Sequence, residues 1–298
     1  MRTPAATGAE ARPAILMSDL IELAKPRITL MVMLTAGIGL LLASGQTPPV
    51  GLAIAVLAGT GLVAAGGSAL NHHWERDSDR LMERTADRPL PAGRMRPDVA
   101  LGYGMTLAAA GLLLLALAVT LLSALLGLIA LVGYVAVYTP LKRITSLATV
   151  VGAIPGAIPP MMGWAAASGR LGAGAWALFA ILFFWQLPHF LAIAWICRDD
   201  YARAGMPVFT VGDTGGTRTG RQMVLWAAAL VPVSLMPTLL GLAGPTYLFG
   251  ALLLGLALLT VSLGFLRRHS GAAARRLLLA SVVYLPAVLG ILVIDRIA

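Results

Sequence analysis

The segment from residue 71 to residue 96 carries the side chains most suited to chemistry, and long apolar stretches flank it on both sides. If the segment is helical, Asn71, Glu75 and Asp79 share one face, because residues four apart turn by only about 40° per step. Carboxylate and amide oxygens are ligands for Mg²⁺, which proteins usually hold with one or two carboxylates and the phosphates of a substrate. The spacing therefore predicts a Mg²⁺ and phosphate site with these three residues as metal ligands.

Arginines form a second stripe along the same segment. Arg76, Arg80, Arg84 and Arg88 also recur every four residues, displaced by about 100° from the acidic face. One guanidinium group can donate two hydrogen bonds to phosphate oxygens, so this stripe would complement the metal ligands. A purely structural interpretation stays open, because opposite charges three residues apart, such as Arg76 and Asp79, stabilise a solvated helix by roughly 0.3 kcal/mol.

The composition places this segment in a polytopic membrane protein. Of 298 residues, 58% are hydrophobic and only 12% are charged, and the mean hydropathy is +0.85, which is not the composition of a soluble domain. Nine apolar stretches are long enough to cross about 30 Å of hydrocarbon: residues 28–44, 50–70, 98–118, 120–139, 147–167, 173–195, 221–241, 245–265 and 276–294. The sequence predicts an all-α fold of about nine transmembrane helices bundled around a central cavity that opens to the cytoplasmic side.

The basic residues predict the orientation of the chain, since Lys and Arg favour cytoplasmic loops. With nine spans, every basic residue except Arg170 and Arg296 falls on the side of the N-terminus. The N-terminus is therefore predicted to be cytoplasmic. The net charge of +9 and the pI near 10.6 then reflect this topology and contact with anionic lipid headgroups. A nucleic-acid-binding function is excluded, because no soluble basic domain is present to support it.

Charge and composition also divide the chain into parts. Residues 1–19 are interpreted as a flexible cytoplasmic tail, and residues 20–298 as a single transmembrane domain. The cytoplasmic active-site loops are expected near residues 71–97 and 197–220, where charged side chains gather. The tail is short and not convincingly amphipathic, which favours a bacterial inner membrane over a mitochondrial one.

Two predicted helices contain residues that are unusual in a membrane. The fifth span has Pro155, Pro159 and Pro160 among several glycines. It is either a wall of the cavity, where freed backbone groups are tolerated, or a kinked packing helix. His189 lies in an apolar run, where an ionisable residue is a functional candidate. A neutral histidine bonded to a neighbouring helix would give the same pattern, so both roles stay open.

Several motifs, in chain order, resemble those of the intramembrane, UbiA-type prenyltransferases. The first polar motif reads Asn71-x3-Glu75-x-Asp77-x-Asp79, followed by Met82-Glu-Arg-Thr85 and Arg88-Pro89. The flanking motifs resemble one branch of that family, the protohaem IX farnesyltransferases: Lys25-Pro-Arg-Ile28, Tyr138-Thr-Pro-Leu-Lys-Arg143, Gly163-Trp164, Trp185-Gln-Leu-Pro-His189-Phe190 and Asp200-Tyr201-x3-Gly205-x-Pro207. The resemblance extends from about residue 20 to residue 295.

The resemblance implies a membrane enzyme with farnesyl diphosphate as donor and Mg²⁺ as cofactor. The acceptor would be a vinyl group of haem B, which gains the farnesyl group and a water molecule to give haem O. The implied catalytic residues are Asn71, Glu75, Asp79 and Asp200. The implied contacts to phosphate or haem are Arg76, Arg80, Lys142, Arg143, His189, Tyr201 and Arg203. Further implied partners are the lipid bilayer and haem A synthase or assembly factors of a terminal oxidase.

Two positions depart from the pattern of the wider family. Glu75 stands where Asp is usual, which lengthens the metal ligand by one methylene. The usual second D-x-x-x-D motif is absent, because Arg203 and Ala204 occupy its end. Asp200 would therefore hold a second metal or orient its loop.

Three other functions are alternatives to haem farnesylation for a chain with these motifs. A prenyltransferase of the same fold could act on an aromatic or quinone precursor instead of haem. A transporter with a charged gate is disfavoured, because transporter sites lie near the bilayer midplane and the acids here lie at helix ends. A CDP-alcohol phosphotransferase would need D-G and A-R pairs, which residues 55–70 lack.

Overall fold

The computed structural model describes residues 16–296, so most of the predicted N-terminal tail lies outside the described residues. Within that range the chain is almost entirely helical. The helices are α1 Met17–Leu23, α2 Pro26–Ser44, α3 Val50–Asp79, α4 Pro97–Ala118, α5 Leu121–Val132, α6 Thr139–Leu141, α7 Ala148–Ala157, α8 Pro159–Ser168, α9 Ala173–Ile196, α10 Arg198–Arg203, α11 Thr217–Leu239, α12 Pro245–Arg268 and α13 Gly271–Ile294. A π-helical turn, Gly133–Tyr138, joins α5 to α6.

The nine predicted spans are confirmed in the described part of the chain. Nine helical units there are long and apolar enough to cross a membrane: α2, α3, α4, α5 with α6, α7 with α8, α9, α11, α12 and α13. The largest difference from the predicted bounds is at α3, which has 30 residues and continues beyond its apolar part. The polar residues 71–79 are thus an extension of a membrane helix.

The charged segment is not one continuous helix, so that part of the prediction is wrong. Helix α3 ends at Asp79, whose backbone oxygen accepts hydrogen bonds from the Met82 amide at 3.3 Å and the Thr85 hydroxyl at 2.9 Å. These contacts fold the chain into turns, which are compatible with the later Pro and Gly residues. Arg84 and Arg88 therefore do not extend the helical arginine stripe. Residues 80–96 are called the first polar loop below.

Glycines let α3 lie directly against α4. A β-carbon at Gly66 would lie 2.6 Å from the backbone nitrogen of Ala108, and one at Gly111 would lie 2.7 Å from the backbone oxygen of Gly59. Such small residues allow membrane helices to approach until their backbones touch. This contact fixes the position of α3, and with it the polar residues at its end.

The proline-rich fifth span is broken at Ile158, between α7 and α8. Pro159 and Pro160 are buried at the start of α8. Gly163 of the same helix lies so close to Ala36 of α2 that a β-carbon there would collide with the Ala36 backbone oxygen. The structure therefore favours the packing interpretation for this stretch.

Candidate active site

A polar cavity of about 340 Å³ lies beside the last turns of α3. Asn71, Glu75 and Asp79 line it from successive turns of that helix, as their spacing predicts. Their exposed fractions are only 3%, 4% and 1%. A further carboxylate, that of Glu22 of α1, lines the same cavity. The acidic face is thus enclosed by protein and is not a solvated helix surface.

Each of the three α3 residues is paired with a different cation. Lys25 Nζ donates to Asn71 Oδ1 at 3.2 Å, and Lys142 Nζ lies 3.4 Å from Glu75 Oε1. The third pair is formed by Arg88, whose Nη1 donates to Asp79 Oδ2 at 2.7 Å. The three cations come from the start of α2, the end of α6 and the first polar loop.

Each of these cations lies where the helical structure is interrupted, so the three approach the cavity from separate segments of the chain. Lys25 lies between α1 and α2 with a left-handed backbone, φ = 45°, which is uncommon for a residue other than Gly. Burial, together with the positive charge of Arg88, lowers the pKa of Lys25 to about 8. Arg84 of the first polar loop also lines the cavity. The cavity therefore combines four basic residues with the acidic face.

Three tyrosines form an aromatic part of the wall. Tyr134 and Tyr138 come from the π-helical turn, and their rings stack with centroids 5.7 Å apart. Tyr201 comes from α10, and the Lys142 ammonium lies 5.3 Å from its ring centroid. π-helical turns occur frequently at functional sites, and aromatic faces attract cations. The cavity can thus hold an anion at one part of its wall and a carbocation at another.

Two buried groups at this site have no hydrogen-bond partner among residues 16–296. They are Asp79 Oδ1 and both ring nitrogens of His72. His72, which sequence reasoning did not single out as a site residue, is only 2% exposed and lines the cavity. Its spacing of three residues from Glu75 was a signal that could have found it. His73, by contrast, bonds the backbone oxygen of Pro97 at 2.9 Å at an exposed position.

The donor set fits a divalent metal that is completed by a substrate. Asp79 offers a free buried oxygen, and Asn71 and Glu75 add oxygens on the same face. Among residues 16–296, no three His, Cys, Asp or Glu side chains converge closely enough to hold a metal by themselves. Mg²⁺ typically takes the remaining ligands from water and phosphate.

Three predicted phosphate contacts point away from the cavity. Arg76 donates to the backbone oxygen of His73 at 2.8 Å, and Arg80 to that of Pro91 at 3.2 Å. Arg143 donates to the backbone oxygen of Trp74 at 2.7 Å. Arg76 and Arg80 lie at the end of α3 and Arg143 follows α6; the cavity lining includes none of the three, and their bonds brace the backbone around it. Their predicted contacts to a phosphate in this cavity are not supported by this geometry.

The remaining predicted residues are divided between the cavity and two other places. Tyr201 and Lys142 line the cavity, whereas Asp200 and Arg203 pair with each other at its edge. His189 of α9 is hydrogen-bonded through Nδ1 to Ser281 Oγ at 2.8 Å. This bond to α13 is the contact expected of a histidine with a structural role.

A second, smaller cavity of about 70 Å³ adjoins the first and is called the side cavity. It shares Tyr138, Lys142 and Tyr201 with the polar cavity and extends to Phe190 of α9. Phe190 directly follows His189, and the two rings are 5.7 Å apart. The motif around His189 therefore lies next to the polar cavity.

The comparison with known proteins identifies the family. A sequence model of the UbiA prenyltransferase family matches residues 32–284. The chain belongs to the UbiA prenyltransferase family. It is accordingly a multi-pass membrane protein of that family, with nine apolar helices in its described part.

Curated UbiA-family relatives match almost the whole chain. A protein from Anaeromyxobacter sp. (strain Fw109-5), named protoheme IX farnesyltransferase, is 50% identical over 286 residues, covering 95% of this chain and 96% of its own. A protein of the same name from Solibacter usitatus (strain Ellin6076) is 46% identical over 289 residues, covering 94% and 99%.

Solved structures share the fold at low sequence identity. A structure concerned with digeranylgeranylglyceryl phosphate synthase has a TM-score of 0.79 at 15% identity, covering 94% of this chain and 98% of its own. A UbiA homolog from Archaeoglobus fulgidus bound to GPP and Mg²⁺ has a TM-score of 0.62 at 16% identity, covering 92% and 99%. These similarities confirm the all-α UbiA fold.

Proposed function

We propose that this enzyme transfers the farnesyl group of farnesyl diphosphate to a vinyl group of haem B, with addition of water, to give haem O and diphosphate. The observation that carries the chemistry is the cavity in which Asn71, Glu75 and Asp79 each lie beside a cation. The choice of haem B rests on relatives named protoheme IX farnesyltransferase that are 43–50% identical to this chain.

Departure of the diphosphate is the step that the charged part of the cavity would assist. As the allylic carbon–oxygen bond breaks, negative charge grows on the leaving group, and cations fixed around it stabilise that transition state. Lys25, Arg84, Arg88 and Lys142 are the protein's cations at the cavity. Mg²⁺, held by the α3 oxygens and the phosphates, would supply further charge neutralisation when bound.

The tyrosines would protect the carbocation that remains. Tyr134, Tyr138 and Tyr201 present aromatic surface to the cavity, and such surface stabilises a cation without reacting with it. The terminal vinyl carbon then bonds to C1 of the farnesyl group. Water adds to the neighbouring carbon and loses one proton, which completes the hydroxyethylfarnesyl group.

Haem would approach from the side cavity. Haem needs apolar surface, a donor for iron and basic partners for its propionates. Phe190 and its neighbour His189 lie on that side, and His189 keeps Nε2 available because Nδ1 is bonded to Ser281. Arg143 and Arg203 remain the proposed propionate partners, since they lie within two residues of Lys142 and Tyr201, which line the side cavity.

We further propose that the protein lies in the bacterial inner membrane with its N-terminus and the loops near residues 71–97 and 197–220 in the cytoplasm. Cysteine labelling in a Cys197→Ser background tests this orientation, with Asp87→Cys for the inner side and Arg170→Cys for the outer side. An impermeant reagent added to intact cells should label only the Arg170→Cys variant. Labelling of Asp87→Cys would contradict the orientation. Haem A synthase or oxidase assembly factors would then receive the product in the same membrane.

An assay with purified protein in lipid nanodiscs tests the reaction. The enzyme is given farnesyl diphosphate, Mg²⁺ and either haem B or an aromatic acid, and the pigments are analysed by mass spectrometry. We expect haem to gain one farnesyl group and one hydroxyl group, and the Asp79→Asn variant to give little product. A prenylated aromatic acid with unmodified haem would contradict the proposed acceptor and favour the aromatic or quinone precursor.

A further inference from the structure

The first polar loop meets α10 at the carboxylate of Asp200. Asp200 Oδ1 accepts a hydrogen bond from the backbone N–H of Glu83 at 3.1 Å, and it also pairs with Arg203 of its own helix. Arg203 in turn lies 3.3 Å from the Glu83 carboxylate. The Asp200 side chain is only 12% exposed. One carboxylate oxygen thus joins two segments that are more than a hundred residues apart in the chain.

An apolar contact accompanies this junction. Met82 is 1% exposed and packs in a cluster with Tyr201, Met206 and Val208. The amide that Asp200 binds belongs to the residue directly after Met82. Glu83 lies in the turns after α3, where its amide needs an acceptor from outside a helix, and the Asp200 carboxylate supplies it.

The residues next to the junction line the polar cavity on both sides. Arg84 follows Glu83 in the first polar loop, and Tyr201 follows Asp200 in α10. Asp200 itself is absent from the cavity lining, and its Oδ1 is already engaged by two donors. Movement at the junction would therefore displace a cation and an aromatic ring of the cavity together.

We propose that Asp200 is a positioning residue that fixes Arg84 and Tyr201 at the polar cavity by binding the Glu83 amide. Of the two roles that the sequence left open, a second metal ligand or a loop-orienting residue, the geometry points to the second. The kinetic part of this proposal rests on the proposed function. The structural part, the bond from Asp200 to the Glu83 amide, can be tested without any substrate.

Hydrogen exchange of the full chain in nanodiscs tests the structural part. In the Asp200→Ala variant the Glu83 amide should exchange about tenfold faster, which corresponds to loss of one ordinary hydrogen bond. Asp200→Asn should give a smaller increase, because its amide oxygen can still accept from that N–H. The matched control is Asp199→Ala, since the Asp199 side chain is 83% exposed and, within residues 16–296, forms an ion pair only with Arg198, at 3.5 Å. Unchanged exchange at Glu83 in Asp200→Ala would overturn the proposal.

Kinetics distinguish positioning from metal binding. In Asp200→Ala we expect KM for farnesyl diphosphate to rise about tenfold, consistent with weakening of one charge-assisted contact, while the Mg²⁺ concentration for half-maximal rate changes less than about twofold. A tenfold higher Mg²⁺ requirement with unchanged Glu83 exchange would identify Asp200 as a metal ligand and overturn the proposal. Failure of the unmodified enzyme to farnesylate haem would contradict the proposed function, and the exchange comparison would still decide the junction.

Discussion

Arg88 binds only one oxygen of the Asp79 carboxylate. Its Nη1 donates to Oδ2 at 2.7 Å, whereas Oδ1 is buried and has no hydrogen-bond partner in the described part of the chain. An unpartnered buried carboxylate oxygen costs free energy, so the site is incomplete without a further ligand. A divalent metal is the ligand that best matches an oxygen on a face shared with Asn71 and Glu75.

The first prediction concerns Asp79. Asp79→Asn should reduce the farnesyl transfer rate at least about a hundredfold, because the amide removes the negative charge that a metal requires while it preserves the shape. Thermal unfolding of the purified variant checks that the fold is retained. Asp77→Asn is the matched control, since Asp77 is on the same helix with 65% of its side chain exposed. A near-normal rate with the usual Mg²⁺ dependence in Asp79→Asn would refute the assignment.

The second prediction compares the two adjacent histidines. His72→Ala should raise the Kd for farnesyl diphosphate about tenfold, because a hydrogen bond to a charged group contributes roughly 1.5–3 kcal/mol and the His72 nitrogens are free to make one. His73→Ala should change the Kd less than about twofold, since His73 bonds the Pro97 backbone at an exposed position. Calorimetric titration measures both. Equal effects of the two substitutions would mean that His72 does not contact the ligand.

The third prediction concerns haem. His189→Ala should reduce the haem retained during purification several-fold and leave the Kd for farnesyl diphosphate nearly unchanged, because His189 lies outside the polar cavity. The absorption spectrum in the Soret region measures retention, and a shifted band would report a change at the iron. Ser281→Ala is the control, since it removes only the Nδ1 partner. Parallel loss of both ligands in His189→Ala would indicate a structural role.

The fourth prediction tests the contact between α3 and α4. Gly66→Ala should destabilise the protein by about 1–3 kcal/mol, as overpacking typically does, because the added β-carbon would lie 2.6 Å from the Ala108 nitrogen. Gly102→Ala, in α4, should be neutral or stabilising, since nothing lies within 4 Å of a β-carbon there. Thermal unfolding in one detergent compares the two. Equal melting temperatures would show that the contact relaxes freely.

Local periodicity was sufficient to predict the acidic face but not its surroundings. Asn71, Glu75 and Asp79 lie together because the helical period alone brings residues four apart onto one face. The end of α3 could not be predicted in the same way. The charge pattern continues regularly past Asp79, and the turn depends on Met82 packing against residues 194–208, which are distant in the chain.

The cations of the cavity were the hardest part to predict. Lys25 bonds Asn71 across 46 residues, and Lys142 lies 67 residues from Glu75, so no local pattern connects them. Arg88 was placed on a helical stripe, whereas the first polar loop brings it back to Asp79. Sequence motifs marked most of these residues, and only the packed helices show which of them meet.

The length of α3 determines how deep the reaction lies in the bilayer. Its 30 residues span about 45 Å at 1.5 Å per residue, whereas the hydrocarbon layer is about 30 Å thick. If Val50 lies at one boundary of the hydrocarbon and α3 runs along the membrane normal, Asn71 falls near the other boundary and Asp79 roughly 12 Å farther out, among the lipid headgroups. A diphosphate bound there stays in the headgroup layer while its isoprenoid tail remains among the acyl chains. An amphiphilic donor can thus react in the orientation that the bilayer already gives it.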